Sequence, residues 1–123
     1  MLAPAGQDFS NAGTVMYAKA AYKPRLAPTR DLSDFVAQDV AEFRAEVPGL
    51  VVSKAEPIAA HGRSYRVFRF APAQGQDGNW ECVAYAEDGE FYLTFAISSR
   101  TQAGLRDGMP AFRAMVASYQ PGA

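Results

Sequence analysis

The sequence predicts an α+β domain, an antiparallel β-sheet with helices packed on it, and three observations carry that expectation. A helical apolar stripe runs through "DLSDFVAQDVAEFRAEVPG", a period of two takes over from Leu50 to Ile97, and a second helical stripe closes the chain. Strand, helix, a run of strands and a helix is the order expected when helices are segregated onto a sheet built from hairpins. At 123 residues one core is expected, large enough to bury roughly two-thirds of the unfolded surface. We therefore read residues 1–123 as a single domain whose first 13 residues are poorly ordered, since "MLAPAGQDFSNAG" shows no periodicity.

Thr14 to Tyr22, "TVMYAKAAY", reads as the first strand, with Val15, Tyr17 and Lys19 on one face and Met16 and Ala18 on the other. "KPRLAPTRD" then has to be a loop, because its prolines cannot continue a ladder. In the following helix Leu32, Val36, Val40, Phe43 and Val47 step by four, four, three and four, with Phe35 widening the stripe. Asp31 or Ser33 caps it and Pro48-Gly49 stops it.

Beyond Leu50, "LVVSKAEPIAA" gives a strand that ends or bulges near Pro57, and "RSYRVFRFAP" gives another that ends at Pro72. "VAYAEDGEFYLTF" carries the strongest hairpin signal: Asp88-Gly89 suits a type I′ turn. That turn would pair Glu87 with Glu90, Tyr85 with Tyr92, Cys82 with Phe95 and Trp80 with Ile97. One face then collects Trp80, Cys82, Ala84 and Ala86 with Phe91, Leu93, Phe95 and Ile97, and is apolar. The other holds Glu81, Val83, Tyr85, Glu87, Glu90, Tyr92, Thr94 and Ser98 and is mixed. The closing stripe is Leu105, Met109, Phe112, Val116 and Tyr119; Gly104, Gly108 and Pro110 crowd its first half, so the spacing predicts a helix from Pro110 to Tyr119.

A net charge of −1 and the lack of any like-charge run remove the basic field that nucleic acids and anionic membranes require. "RSYRVFRF" lacks the glycine and small-residue positions of an RNA-stacking strand. Nine of the twelve basic residues are Arg, a bias of the kind genome composition produces in bacteria. No stretch reaches the ~20 apolar residues of a membrane span, so no membrane insertion is expected. The compartment stays open: the chain reads as soluble, cytoplasmic or exported after loss of a leader.

A single cysteine excludes an internal disulfide and any multi-cysteine metal cluster, and no cofactor or metal motif is present. A reactive Cys82 would need a base and partial exposure; the register puts it on the core face, so it reads as packing. His61, the only histidine, sits in the turn "AAHGRS" without a second histidine or an adjacent acid, and reads as a solvated loop residue. The mixed hairpin face offers Tyr85 and Tyr92 as a cross-strand pair, with Arg66 or Arg69 on the neighbouring strand, as candidate binding residues, because Tyr and Arg anchor protein interfaces. The bland alternatives are that a helix covers this face or that the tyrosines are half-buried surface residues.

The helix "DLSDFVAQDVAEFRAEVPG", the extended "GRSYRVFRF", the hairpin "WECVAYAEDGEFYLTFAISSR" and above all the closing "AFRAMVASY" resemble the Mog1/PsbP-like family over about the last ninety residues. The resemblance implies a central antiparallel sheet covered by helices and a non-enzymatic role, since members of that family are protein-binding or assembly factors, among them a Ran-GTPase partner and a photosystem II extrinsic subunit. Its motifs are hydrophobic spacings, so no family site transfers. This chain starts later than the family pattern, which implies that an upstream edge strand is missing.

The function expected is a binding or assembly module without chemistry of its own, acting on a protein partner or as a homo-oligomer. Two alternatives stand beside it: a small-molecule binder or small enzyme with a cleft near His61, and a self-associating structural domain.

Overall fold

A computed structural model of the chain describes residues 13–25 and 31–119. The elements are β1 (Thr14–Tyr22), a 3-10 turn (Lys23–Arg25), α1 (Leu32–Glu46), β2 (Val51–Lys54), β3 (Ile58–Ala60), β4 (Arg63–Ala71), β5 (Trp80–Asp88), β6 (Phe91–Ser99) and α2 (Gln102–Ser118). The strands pair antiparallel in the order β1-β6-β5-β4-β2, with β3 also on β4. This is the α+β architecture the sequence predicts. The segment expected to be poorly ordered lies outside the described residues, apart from Gly13.

The helices lie on opposite faces of the sheet. α2 sends Leu105, Phe112 and Val116 onto Tyr65, Val67, Cys82, Ala84, Leu93, Phe95 and Ile97. α1 sends Leu32 and Val36 onto Phe70, Val83, Tyr85, Tyr92 and Ala96. The central hairpin is therefore buried on both sides, through Cys82–Ala86 and Tyr92–Ile97. That explains why its "mixed" face still carries Val83, two tyrosines and Ala96: it meets a helix and is not an exposed surface.

The hairpin register differs from the expected one. Asp88 faces Phe91, Glu87 faces Tyr92, Tyr85 faces Thr94, Cys82 faces Ile97 and Trp80 faces Ser99, so the two-residue turn is Gly89-Glu90. Gly89 takes a φ of 58° and Glu90 stays out of the left-handed region, which fits a type II′ turn with glycine at its first central position. Electrostatics favours this choice. The expected register would set Glu87 against Glu90, whereas the observed one leaves Glu87 to pair with Lys23 at 2.6 Å and Asp88 with Arg63 at 3.3 Å. Because the shift along the partner strand is two residues, every side chain keeps its face.

The edge opposite β1 is broken. Between Lys54, which faces Phe68, and Ile58, which faces Tyr65, three residues (Ala55, Glu56, Pro57) oppose two (Arg66, Val67). This is a β-bulge at Pro57, where a proline can sit without costing a ladder bond.

The second helix is longer than its glycines suggest. It starts at Gln102, with the Thr101 hydroxyl accepting the Gly104 N–H at 2.9 Å, and runs through Pro110. Gly104 and Gly108 stand one turn apart on the sheet-facing side. A Cβ would come within 2.2 Å of Ser99 Oγ at Gly104 and within 2.6 Å of Ile97 Cδ1 at Gly108. Their low helix propensity is outweighed by the close approach of helix to sheet that they allow.

Candidate functional site: a basic-rimmed groove beside the first helix

α1 is fixed at its start by Asp31, whose carboxylate accepts the Asp34 N–H at 3.0 Å, and is anchored by its apolar stripe. Phe35 stacks on Tyr92 with ring centroids 4.5 Å apart, and Phe43 packs on Phe70 at 4.5 Å. One side of that stripe carries small residues at four-residue steps, Ser33, Ala37 and Ala41. They face the bulged β2–β3 edge and leave space there. The result is an open groove of about 900 Å³ between α1, β2 and β4, with Val36, Val40, Val52 and Phe68 among its apolar lining residues.

The rim has one sign of charge. Arg44 comes from α1, Lys54 from β2 and Arg66 from β4; all three are exposed, and no Asp or Glu lines the groove. Among the described residues none of the three is ion-paired with a carboxylate. Arg66 is held in place by donating from Nη1 to Ser33 Oγ at 2.7 Å, which spans the groove from strand to helix. The positive strip continues around the edge, where Arg69 and Arg113 line a hollow of about 300 Å³ that also contains Lys54 and the single acid Glu56. Five of the twelve basic residues thus gather at one edge of a chain whose net charge is −1.

The structure separates the candidate binding residues. Arg66 belongs to the groove. Tyr85 and Tyr92 are 0% and 2% exposed beneath α1, so they form no contact surface, and they are diagonal neighbours where a directly opposed pair was expected. The Tyr85 hydroxyl donates to Asp39 Oδ2 at 2.5 Å, and burial first, then that carboxylate, drives its pKa far above the ordinary phenol value. On the same face Glu81 is held above the usual carboxylate range by burial and by Asp39 and Glu46. Nothing in the spacing of residues 31–49 shows that their small-residue side would stay clear of the sheet edge. Arg44 and Lys54 could have been found only by knowing which strand lies beside α1.

His61 and Gly62, with φ of 53° and 73°, form the two-residue turn between β3 and β4. The ring donates from Nε2 to the Ala117 carbonyl at 2.8 Å, tying the turn to the last turn of α2. His61 thus makes a structural contact with α2 and is not among the residues that line the groove. Cys82 is fully buried, and its thiol is pushed up to about 11 by burial, with Arg69 and Arg113 pulling weakly the other way. It is predicted to resist thiol reagents in the native protein, and Cys82→Ser is expected to cost about 1–3 kcal/mol by burying a hydroxyl. Labelling of the folded protein with a chromogenic disulfide reports the first, and urea unfolding the second; labelling as fast as in denaturant would show an open core.

Among the described residues no group of three or more His, Cys, Asp or Glu is placed to hold a metal, and no helix is long and apolar enough to cross a membrane. The fold defines an α+β domain with a six-stranded antiparallel sheet and a helix on each face. No protein-family model and no curated protein matches the chain. Its fold is similar to that of a Pseudomonas aeruginosa protein of unknown function with a suggested regulatory role, known from a crystal structure. The TM-score is 0.67 at 17% identity, over 89% of this chain and 74% of that one.

Proposed function

We propose that the protein is a non-catalytic binding or assembly module, and that the groove beside α1 receives an acidic amphipathic helix of a protein partner. The observation that carries this reading is an apolar trough rimmed by Arg44, Lys54 and Arg66 and lined by no carboxylate. A trough of that kind complements a helix with an apolar stripe flanked by Asp and Glu, the helix-in-groove mode of recognition. From Ser33 to Arg44 it runs along three turns of α1, about 16 Å, which suits a partner helix of similar length. The Mog1/PsbP-like wording of the closing helix supports the same role. The burial of Cys82 and the structural bond of His61 leave the two groups that sequence reasoning weighed for chemistry occupied elsewhere.

The test is a titration of a fluorescein-labelled synthetic helix with Leu on one face and Glu on both flanks. Binding is expected to weaken with salt, and the Lys54→Glu/Arg66→Glu protein is expected to bind about 10–100-fold more weakly, because each substitution sets like charges together. Equal binding by the charge-reversed protein, or equal binding of a Lys-flanked helix with the same apolar face, would overturn the reading.

A further inference from the structure

The two edges of the sheet are built differently. The β2–β3 edge carries the bulge, Pro57 and Lys54, features that keep another strand from adding to it. β1 has neither a bulge nor a proline. Its nine residues keep one unbroken register with β6 from Thr14 to Tyr22, without proline or bulge, and Lys19 is its single charge. Among the described residues β6 is its one strand neighbour. Val15 is 48% exposed and Tyr17 40%, and Ala18, Lys19 and Ala20 are exposed as well.

The direction of the free main-chain groups follows from one bond. Lys23 donates its N–H to the Glu90 carbonyl at 2.8 Å, in the same register as the strand pairing. Antiparallel ladders alternate, so Ala21, Lys19 and Tyr17 direct their main-chain groups at β6, while Ala20, Ala18 and Met16 direct theirs outward.

We infer that β1 pairs with β1 of a second copy of this chain, antiparallel across a two-fold axis at Ala18, to make a dimer with one continuous sheet. The sequence of the strand is self-complementary about that residue. On the α2 face Met16 meets Ala20 of the second copy, so a long side chain falls on a small one. On the α1 face Tyr17 meets Lys19 of the second copy, twice, which sets an ammonium beside an aromatic ring. Ala18 meets its own equivalent, as an isologous contact requires. The small Ala18 and Ala20 also border a hollow of about 450 Å³ shared with Leu93, Phe95 and Met115, which gives the incoming Met16 room. About ten main-chain hydrogen bonds would form across the axis, from five outward-facing residues on each strand.

The register makes the inference testable without disturbing the protomer. Ala18→Pro removes an outward N–H and leaves the ladder to β6 whole. By sedimentation velocity the wild type is expected to be a dimer and Ala18→Pro a monomer with the same far-UV circular dichroism. Ala18→Cys is expected to form an intermolecular disulfide under mild oxidation, since directly opposed Cα atoms lie about 5.5 Å apart. Ala20→Cys is expected not to cross-link with itself, because it faces Met16. Buried Cys82 stays outside the reaction. A monomeric wild type, a dimer that survives Ala18→Pro, or cross-linking by Ala20→Cys in place of Ala18→Cys would overturn the inference. If Ala18→Pro does not fold, the two cysteine variants decide the matter alone.

Discussion

Phe112→Ala is expected to destabilise the domain by about 3–5 kcal/mol, the largest loss of any single truncation considered for this chain. Phe112 is completely buried, at the middle of the stripe by which α2 holds the sheet, among residues from β4, β5 and β6. Removing its ring takes away a large apolar area and leaves a void. β5 and β6 cannot fill that void without disturbing α1 on their other face, where Tyr85 and Tyr92 are already packed. For a domain whose total stability is of the order of 5–15 kcal/mol, such a loss shifts the urea midpoint by a large fraction of its value. A loss below about 1.5 kcal/mol would mean that α2 is not the principal cover of that face.

The second large effect is expected from the smallest of substitutions. In an exposed helix Gly→Ala stabilises by about 1 kcal/mol. At Gly104 the sign reverses. The added Cβ would lie 2.2 Å from Ser99 Oγ, 3.0 Å from Thr101 Oγ1 and 3.1 Å from Thr14 Oγ1. These oxygens belong to two ordered features: the Thr14 hydroxyl donates to Ser99 Oγ at 2.8 Å in a buried pair, and Thr101 caps the helix. Gly104→Ala therefore has to displace the start of α2 from the β1–β6 end of the sheet, at a cost of about 2–3 kcal/mol. Gly108→Ala, whose nearest neighbour is the flexible end of Ile97, is expected to cost less. Thermal unfolding of the two variants side by side checks the order; a stabilised Gly104→Ala would show that the helix does not approach the sheet so closely.

Gly104 also shows where sequence reasoning loses its hold. α1 was legible because a stripe, a cap residue and a Pro-Gly stop all agree on the same boundaries. In α2 the stripe and the propensities disagree. Reading Gly104, Gly108 and Pro110 as breakers removed the first half of the helix, because a propensity is local and the need for a glycine at a helix–sheet contact is set by residues far away in the chain. The hairpin illustrates the reverse. Moving the turn from Asp88-Gly89 to Gly89-Glu90 changes every pairing but no face, so Cys82 was placed correctly in the core from the wrong register. Alternation is robust to a two-residue slip, and the slip itself was decided by Lys23 and Arg63, which approach from other elements.

The groove was the least legible part. Of its rim only Arg66 was singled out, and for a different reason, as the neighbour of two tyrosines that turned out to lie under α1. Its cations are scattered over residues 44–66, and they converge only because α1 crosses the sheet next to a bulged edge. Periodicity predicts which side of a helix is apolar; it does not predict which strand that side will pass.

The proposed function places a docked partner in this groove, over its apolar floor and among its three cations. Nuclear magnetic resonance mapping with the Glu-flanked helix tests it most directly. Amide shifts are predicted to change along Ser33–Arg44, at Val52–Ala55 and around Arg66–Phe68, with the β1 strand and the turn at His61 unmoved. Saturable shifts centred on any other surface, or no saturable shifts at all, would contradict the account.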